Sequence, residues 1–398
     1  MLLFLQLLFW ISAFGLFHSY VLYPLIMKIL GRNKKPNAIC YTKSVELPNV
    51  SVIMSVYNEE AVIKEKMESL LALDYPKDKL VIYIGSDHSD DRTNEILEAY
   101  QNSASNLSFH PFKVRRGKPG VVNNLAQVAF DERGQSEEHI FLMTDASVML
   151  EEETLYELVK HFKNKEIMIV DSNMVNIDMK SKGISVLENQ YISSEVSLKN
   201  LESLVFGKMV GPFGGCYTIR SSHFSMIPDK FLVDDFYITM RAFEKGGKAI
   251  NEMSAICYEA LPDDMQEEYR RKSRISAGNF QNLHTFRNLL YKGNNLSFAF
   301  FSHKVLRWLG PFFIIFALVS TLILAISGNN LYQFLFILMI IALVGVPFLD
   351  YLLNKWKINI LALRAVRYFI VMNIALLEGF FKYIKGVKNN VWQPPKRN

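Results

Sequence analysis

Apolar positions along this chain fall into two regimes: long unbroken runs near both ends, and short runs punctuated by polar turns in the middle. Residues 2–30 are almost uncharged and exceed the roughly 20 residues a spanning helix needs. Residues 309–327 and 331–353 form two further apolar stretches, separated by Ser327-Gly328-Asn329-Asn330. Between these ends the pattern changes. Residues 50–56, 80–84, 109–114, 140–143 and 167–170 read as strands. Residues 59–73, 92–101, 120–129 and 151–163 carry helical spacing. Such alternation predicts an α/β domain over 48–282 with a mainly parallel sheet.

Charge refines the end segments. No Lys or Arg precedes Lys28, and Gly31-Arg32-Asn33-Lys34-Lys35 follows. A signal peptide would want a positive start and a small-residue cleavage site. Residues 1–30 are therefore expected to be an uncleaved transmembrane helix, with the next domain cytoplasmic. The 309–353 stretch reads as a transmembrane hairpin, flanked outside by His303, Lys304, Arg307, Lys355 and Lys357. Residues 283–308 form an interfacial connector. Residues 358–384 carry Arg364, Arg367, Glu378 and Lys382, which favours an interfacial helix over a third spanning one. A basic tail, 385–398, ends the chain. The lipid bilayer is thus an expected partner. The net charge of +5 is mostly explained by these flanks and gives no case for nucleic acid. Cys40, Cys216 and Cys257 lack metal-ligand spacing, and so sparse a set fits a reducing compartment.

Ligands of parallel α/β sheets bind beyond the carboxyl ends of the strands. Tyr57-Asn58-Glu59, Ser86-Asp87 and Thr144-Asp145 fall there, and Asp234-Asp235 precedes a helical pattern. A single Asp after a strand is often only a helix cap; several at neighbouring strand ends point to a site. Arg115-Arg116-Gly117-Lys118-Pro119-Gly120 looks like a phosphate-facing loop. It lacks the Walker spacing, and no GxGxxG follows the first strand, so a P-loop NTPase and a dinucleotide enzyme are both poorly supported.

Six segments, in order, resemble the family 2 inverting glycosyltransferases. They are Val52-Ile-Met-Ser-Val-Tyr-Asn-Glu-Glu60, Asp87-His-Ser-Asp-Asp-Arg-Thr93, Gly117-Lys118 with Asn123, Phe141-Leu-Met-Thr-Asp-Ala-Ser147, Gly211-Pro-Phe-Gly-Gly-Cys-Tyr-Thr-Ile-Arg220 and Val233-Asp234-Asp235. The flanking apolar segments are similar to the membrane-bound branch of cellulose, hyaluronan and poly-N-acetylglucosamine synthases. The resemblance implies a GT-A-like fold and a nucleotide-sugar donor, most often a UDP-sugar. It implies a lipid-linked or polysaccharide acceptor in surface glycan synthesis, at a bacterial inner membrane. By the same resemblance, Asp87 would meet the uracil edge with Tyr57 and Glu59 beside it. Lys118 would hold the nucleotide, and Asp145 would face Mg²⁺ or Mn²⁺ on the diphosphate. Asp235 would be the general base, with Asp234 raising its pKa by like charge.

Two departures count. The DxD position reads Asp145-Ala146-Ser147, so one carboxylate is missing and serine is a weaker ligand. The processive QxxRW motif has its nearest match at Arg271-Lys-Ser-Arg-Ile275. Arg271 and Arg274 would serve the diphosphate, but Ile275 replaces the tryptophan, which favours single addition over a processive synthase. The alternative from another class is a membrane scaffold that keeps the fold without catalysis.

Overall fold

The computed structural model describes residues 1–43, 46–177, 185–260 and 264–387. They form two compact units. One gathers 1–29, 185–188 and 264–386; the other gathers 30–43, 46–177 and 189–260.

The second unit is built on one eight-stranded sheet. Its strands are β1 (Asn49–Val56), β2 (Leu80–Ser86), β3 (Leu107–Pro111), β4 (His139–Thr144), β5 (Val148–Leu150), β6 (Ile167–Ile177), β7 (Cys216–Arg220) and β8 (Lys248–Ala260). The spatial order is β3-β2-β1-β4-β7-β6-β8-β5. Strands β3, β2, β1 and β4 run parallel, as the alternating pattern predicts. Every residue of β4 is buried, which explains its continuous apolar run, since parallel strands are covered on both faces. One face carries Val50, Val52, Met54, Ile82 and Ile84, packed with Ile63, Met67, Leu70 and Leu97 from the helices Ile63–Leu71 and Thr93–Ser103. The helix Gly117–Arg133 covers the other face. It approaches β2 so closely that a Cβ on Gly85 would lie 2.4 Å from Val121.

Among the described residues, four of the seven strand pairings are parallel, as expected of a mainly parallel sheet, and the three antiparallel ones fall in its far half. β7 runs antiparallel between β4 and β6, β5 antiparallel to β8, and only β6 and β8 restore a parallel pair. The third strand also begins two residues earlier than the 109–114 pattern suggests and stops at Pro111. Pro111 has no N–H to extend the ladder.

In the other unit, Leu2–Gly31 and Asn330–Lys355 are helices long and apolar enough to cross a membrane. Asn295–Trp308 and Gly310–Ile326 would make a third span if taken together, though they bend by 61° at their junction. The sharp turn falls where Pro311 starts a new helix and cannot supply an interior N–H. Leu361–Ile384 is a helix but is not among the apolar ones. Its Arg367 pairs with Asp350 at 3.1 Å, so part of its charge is matched within the unit. Most of the 385–398 tail lies outside the described residues.

The helix Met265–Phe286 clusters with these apolar helices rather than with the sheet. It carries Arg271 and Arg274. Arg271 contacts Glu188 at 2.9 Å and Glu268 at 2.8 Å, and Lys272 reaches the same two carboxylates. Burial opposes the charge on Glu268, but Arg271 and Lys272 outweigh it and hold that carboxyl down at about 2.

Candidate active site

Parallel register gathers the polar groups. Val56 of β1 pairs with Ser86 of β2, and Ile53 with Met143 of β4, so these strands end at one edge. Tyr57, Asn58 and Glu59 leave β1 there, Asp87 leaves β2, and Asp145 leaves β4. The first two turns are sewn together. The Asn58 and Glu59 N–H groups donate to the Ser89 and Thr93 hydroxyls, and the Glu60 N–H to Asp91. Asn58 and His88 both sit at positive φ, 51° and 61°. Such backbone is disfavoured for non-glycine residues and persists where surrounding contacts enforce it.

Asp87 is buried, and its carboxylate organises the next element. It accepts from the Arg116 N–H at 2.6 Å, the Gly117 N–H at 3.0 Å and Arg115 Nε at 3.1 Å. The two backbone N–H groups are orphan donors at the start of the helix Gly117–Arg133, where a carboxylate is favoured. Asp87 thereby locks the 115–117 loop. The Arg115 guanidinium lies over the Tyr57 ring, 3.3 Å from its centroid. Lys118, the next residue inward, reaches Asp145 at 2.7 Å and Asp234 at 3.7 Å. Burial works against its charge, yet Asp145 and Asp234 outweigh that and hold Lys118 protonated well above the ordinary lysine range.

Antiparallel β7 supplies the other wall. Cys216 stands opposite Thr144, so the glycine loop ahead of β7 meets the end of β4. The Asp145 N–H and the Thr144 hydroxyl both donate to the Gly215 carbonyl. From β6, buried Asp171 accepts from the Phe213 N–H at 2.8 Å and pairs with Lys199 at 2.5 Å, which anchors the same loop. Gly214 lies against Asp235: a Cβ there would stand 2.6 Å from its Oδ2.

Asp234 and Asp235 open the helix Asp234–Lys245. Asn123 positions the approach, exchanging two 2.8 Å hydrogen bonds with the Ile227 backbone. Burial, and then the neighbouring charge of Asp234, push the Asp235 carboxyl up to about 7, against the pull of Lys118 and the Phe236 N–H. A carboxylate near neutrality is matched to accept a proton at physiological pH. Ile53, Ser55, Lys118, Val122, Met143, Thr144, Asp145, Gly214, Tyr217 and Asp234 line one small cleft.

The unit thus brings together Tyr57, Glu59, Asp87, Lys118, Asp145, Asp234 and Asp235; Arg271 and Arg274 belong to the other unit. Ser147 faces elsewhere and donates to Glu259 at 3.2 Å. Asp145 is therefore the part of Asp145-Ala146-Ser147 turned to Lys118. Among the described residues, no three His, Cys, Asp or Glu side chains gather as a metal site. One carboxylate, completed by diphosphate oxygens and water, remains a donor set that Mg²⁺ accepts.

Sequence reasoning missed Lys66, Asp171 and Tyr217. Lys66 is fully buried, donating to the Thr144 hydroxyl at 2.8 Å and the Val148 carbonyl at 2.5 Å. Burial pushes it down to about 8. Its only sequence signal is a lysine on the apolar face of Ile63–Leu71. Because Lys66 braces both ends of the turn carrying Asp145, Lys66→Met is expected to lower kcat/KM about tenfold through misplacement of that carboxylate. Steady-state kinetics on the folded variant check this, and unchanged kinetics would remove Lys66 from the site's support.

The sheet, the glycine loop and the clustered aspartates define a glycosyltransferase of the GT-A class. The Glycosyl transferase family 2 profile matches residues 51–226, and that of Glycosyl transferase family group 2 matches 139–349. The chain belongs to the family 2 glycosyltransferases. It is 26% identical over 254 residues to the probable glycosyltransferase YdaM of Bacillus subtilis (strain 168), covering 59% of this chain and 56% of that protein. It is 20% identical over 282 residues to the poly-beta-1,6-N-acetyl-D-glucosamine synthase of Staphylococcus epidermidis, covering 66% and 65%. The chain therefore spans between about half and two thirds of these relatives' lengths. Its fold matches the mannosyltransferase PcManGT of Pyrobaculum calidifontis, solved in complex with GDP-Man and Mn²⁺. That match has a TM-score of 0.67 at 18% identity and covers 95% of this chain and 99% of the other.

Proposed function

We propose that this enzyme transfers a sugar from a nucleotide donor to an acceptor hydroxyl with inversion at the anomeric carbon, working at a membrane surface. The observation that carries the reading is Asp235: a carboxyl raised to about 7, beside Asp234 and next to the Lys118–Asp145 pair. Asp235 takes the proton of the acceptor hydroxyl as that oxygen attacks the anomeric carbon. The bond from that carbon to the diphosphate breaks, and the nucleoside diphosphate leaves. Lys118 faces the negative charge that develops on it. Mg²⁺ or Mn²⁺, held by Asp145, would add Lewis-acid stabilisation of the same leaving group. Asp87, through the 115–117 loop, and the Tyr57–Arg115 stack form the nucleotide side, with Glu59 behind them. Arg271 and Arg274 remain proposed diphosphate contacts, although Arg271 already pairs with Glu188 and Glu268.

A UDP-sugar is the first donor to test. A GDP-sugar is the second, because PcManGT was solved with GDP-Man. The apolar helices favour a lipid-linked or growing glycan acceptor and a multi-pass protein of a bacterial inner membrane, its sheet unit cytoplasmic. Single addition fits Ile275; the kinship to a poly-N-acetylglucosamine synthase favours processive synthesis as the second reading. Incubating the full chain in lipid with a panel of UDP- and GDP-sugars, then weighing lipid-linked products by mass spectrometry, decides between them. One added sugar supports the first reading and a ladder of lengths the second. No transfer from any donor would overturn both.

A further inference from the structure

Tyr217 lines the cleft with a buried polar atom that has no evident structural task. It lies in the middle of the sheet, opposite Met143 of β4 and Asp171 of β6. Its side chain is 1% exposed, and its hydroxyl is enclosed without a hydrogen-bond partner among the described residues. Leaving such a group unpaired costs free energy that ordinary structural roles avoid. Tyr217 lines the cleft together with Lys118, Asp145, Gly214 and Asp234. Burial and the charges of Asp234, Asp235 and Asp145 push the phenol well above its ordinary range, so it stays a neutral donor.

The chemistry of transfer says what lies between these groups. The leaving diphosphate needs the positive charge of Lys118. The attacking hydroxyl needs Asp235, which packs on Gly214. The anomeric carbon is bonded to the first and attacked by the second, so the transferred sugar must bridge them. A neutral donor matches neutral sugar oxygens, whereas the phosphate charge already has Lys118. We propose that Tyr217 is a further substrate-contacting residue, its hydroxyl donating a hydrogen bond to an oxygen of the transferred sugar from the floor of the cleft. A site built to pair with a substrate oxygen discriminates against sugars that lack it there.

This rests on the nucleotide-sugar reading above, and the test separates the two. The full chain and Tyr217→Phe are titrated calorimetrically with the nucleotide sugar selected by the donor panel and with the matching nucleoside diphosphate. The ligand-free Tm of each is also measured. The expected result is nucleoside diphosphate affinity unchanged and nucleotide-sugar affinity about tenfold weaker, as for one lost buried hydrogen bond. Ligand-free Tm should be equal or higher, because the change removes only an unpaired buried oxygen. Equal weakening of both ligands would assign the hydroxyl to the diphosphate, and no weakening would leave it without a ligand. A lower ligand-free Tm would make it structural. Each overturns the assignment of Tyr217 alone. A parent that binds no nucleotide sugar overturns the donor reading and this inference with it.

Discussion

Asp235→Asn is expected to lower kcat by about 10²–10⁴-fold, the range a positioned general base contributes. Nucleoside diphosphate affinity should barely change. The substitution keeps the side chain's size, and Asn can still accept from the Phe236 N–H, which lies 2.7 Å from Oδ1. It removes only the ability to take a proton. The parent should show kcat/KM rising as pH rises through about 7 and levelling above it, since the base must be ionised to act. The Asn variant should lose that limb. A variant within tenfold of the parent, or with the same limb, would take Asp235 out of proton transfer.

The same perturbation has a stability consequence with a definite sign. The folded pKa of Asp235 lies above its ordinary value, so folding favours its protonated form. Its contribution is complete below the unfolded value near 4 and is lost as pH rises through about 7. Asp235→Asn should therefore gain Tm relative to the parent between about pH 4 and 7, with the gain constant above. Thermal unfolding at three pH values checks it. Lower stability of the variant at pH 8 would mean that the carboxylate is better solvated than its surroundings indicate.

Gly214→Ala is the second large effect expected, and it leaves every titratable group of the site chemically intact. Its Cβ would stand 2.6 Å from Asp235 Oδ2 and 3.0 Å from Cγ. The carboxylate has little freedom to yield, because its other oxygen holds the Phe236 N–H. The loop is no freer, being tied to β6 through Asp171 and to β4 through the Gly215 carbonyl. Displacement of the base by about 1 Å should cost about 10²-fold in kcat. Nucleoside diphosphate binding, proposed above to rest on the Asp87–Lys118 side, should change little. Placing Gly214→Ala in the Asp235→Asn background identifies the route. If the glycine acts through the carboxylate, the double variant should be hardly slower than Asp235→Asn alone. Full additivity would show that the methyl group obstructs the acceptor instead.

The legible parts of this protein were those governed by short-range rules. Continuous apolar runs at 50–56, 80–84 and 140–143 are what doubly covered parallel strands require, and they became β1, β2 and β4. Asp87 and Asp145 could be placed together because parallel strands end at one edge, and Asp234-Asp235 could be placed at a helix start because a helical pattern follows the pair. β7 was hidden. Its five residues follow a glycine loop, and nothing local says that a strand will enter antiparallel between two others. Lys66, Asp171 and Tyr217 were hidden for a related reason: periodicity assigns a residue to a face but not the partner it will meet there.

The positions of β1 to β4 along the chain, the placing of polar residues at their ends and the apolar character of the flanking helices follow from the amino-acid sequence alone, because each depends on neighbours a few positions away. Tertiary structure alone decided the division of labour among the groups at the site. It turned Asp87 onto the loop that carries Lys118, and set Lys118 between Asp145 and Asp234. It also gave Ser147 to Glu259, and packed Gly214 against Asp235. Those pairings join residues 20 to more than 100 positions apart, and a carboxylate's ionisation depends on burial and charge in space, not on its place in the chain.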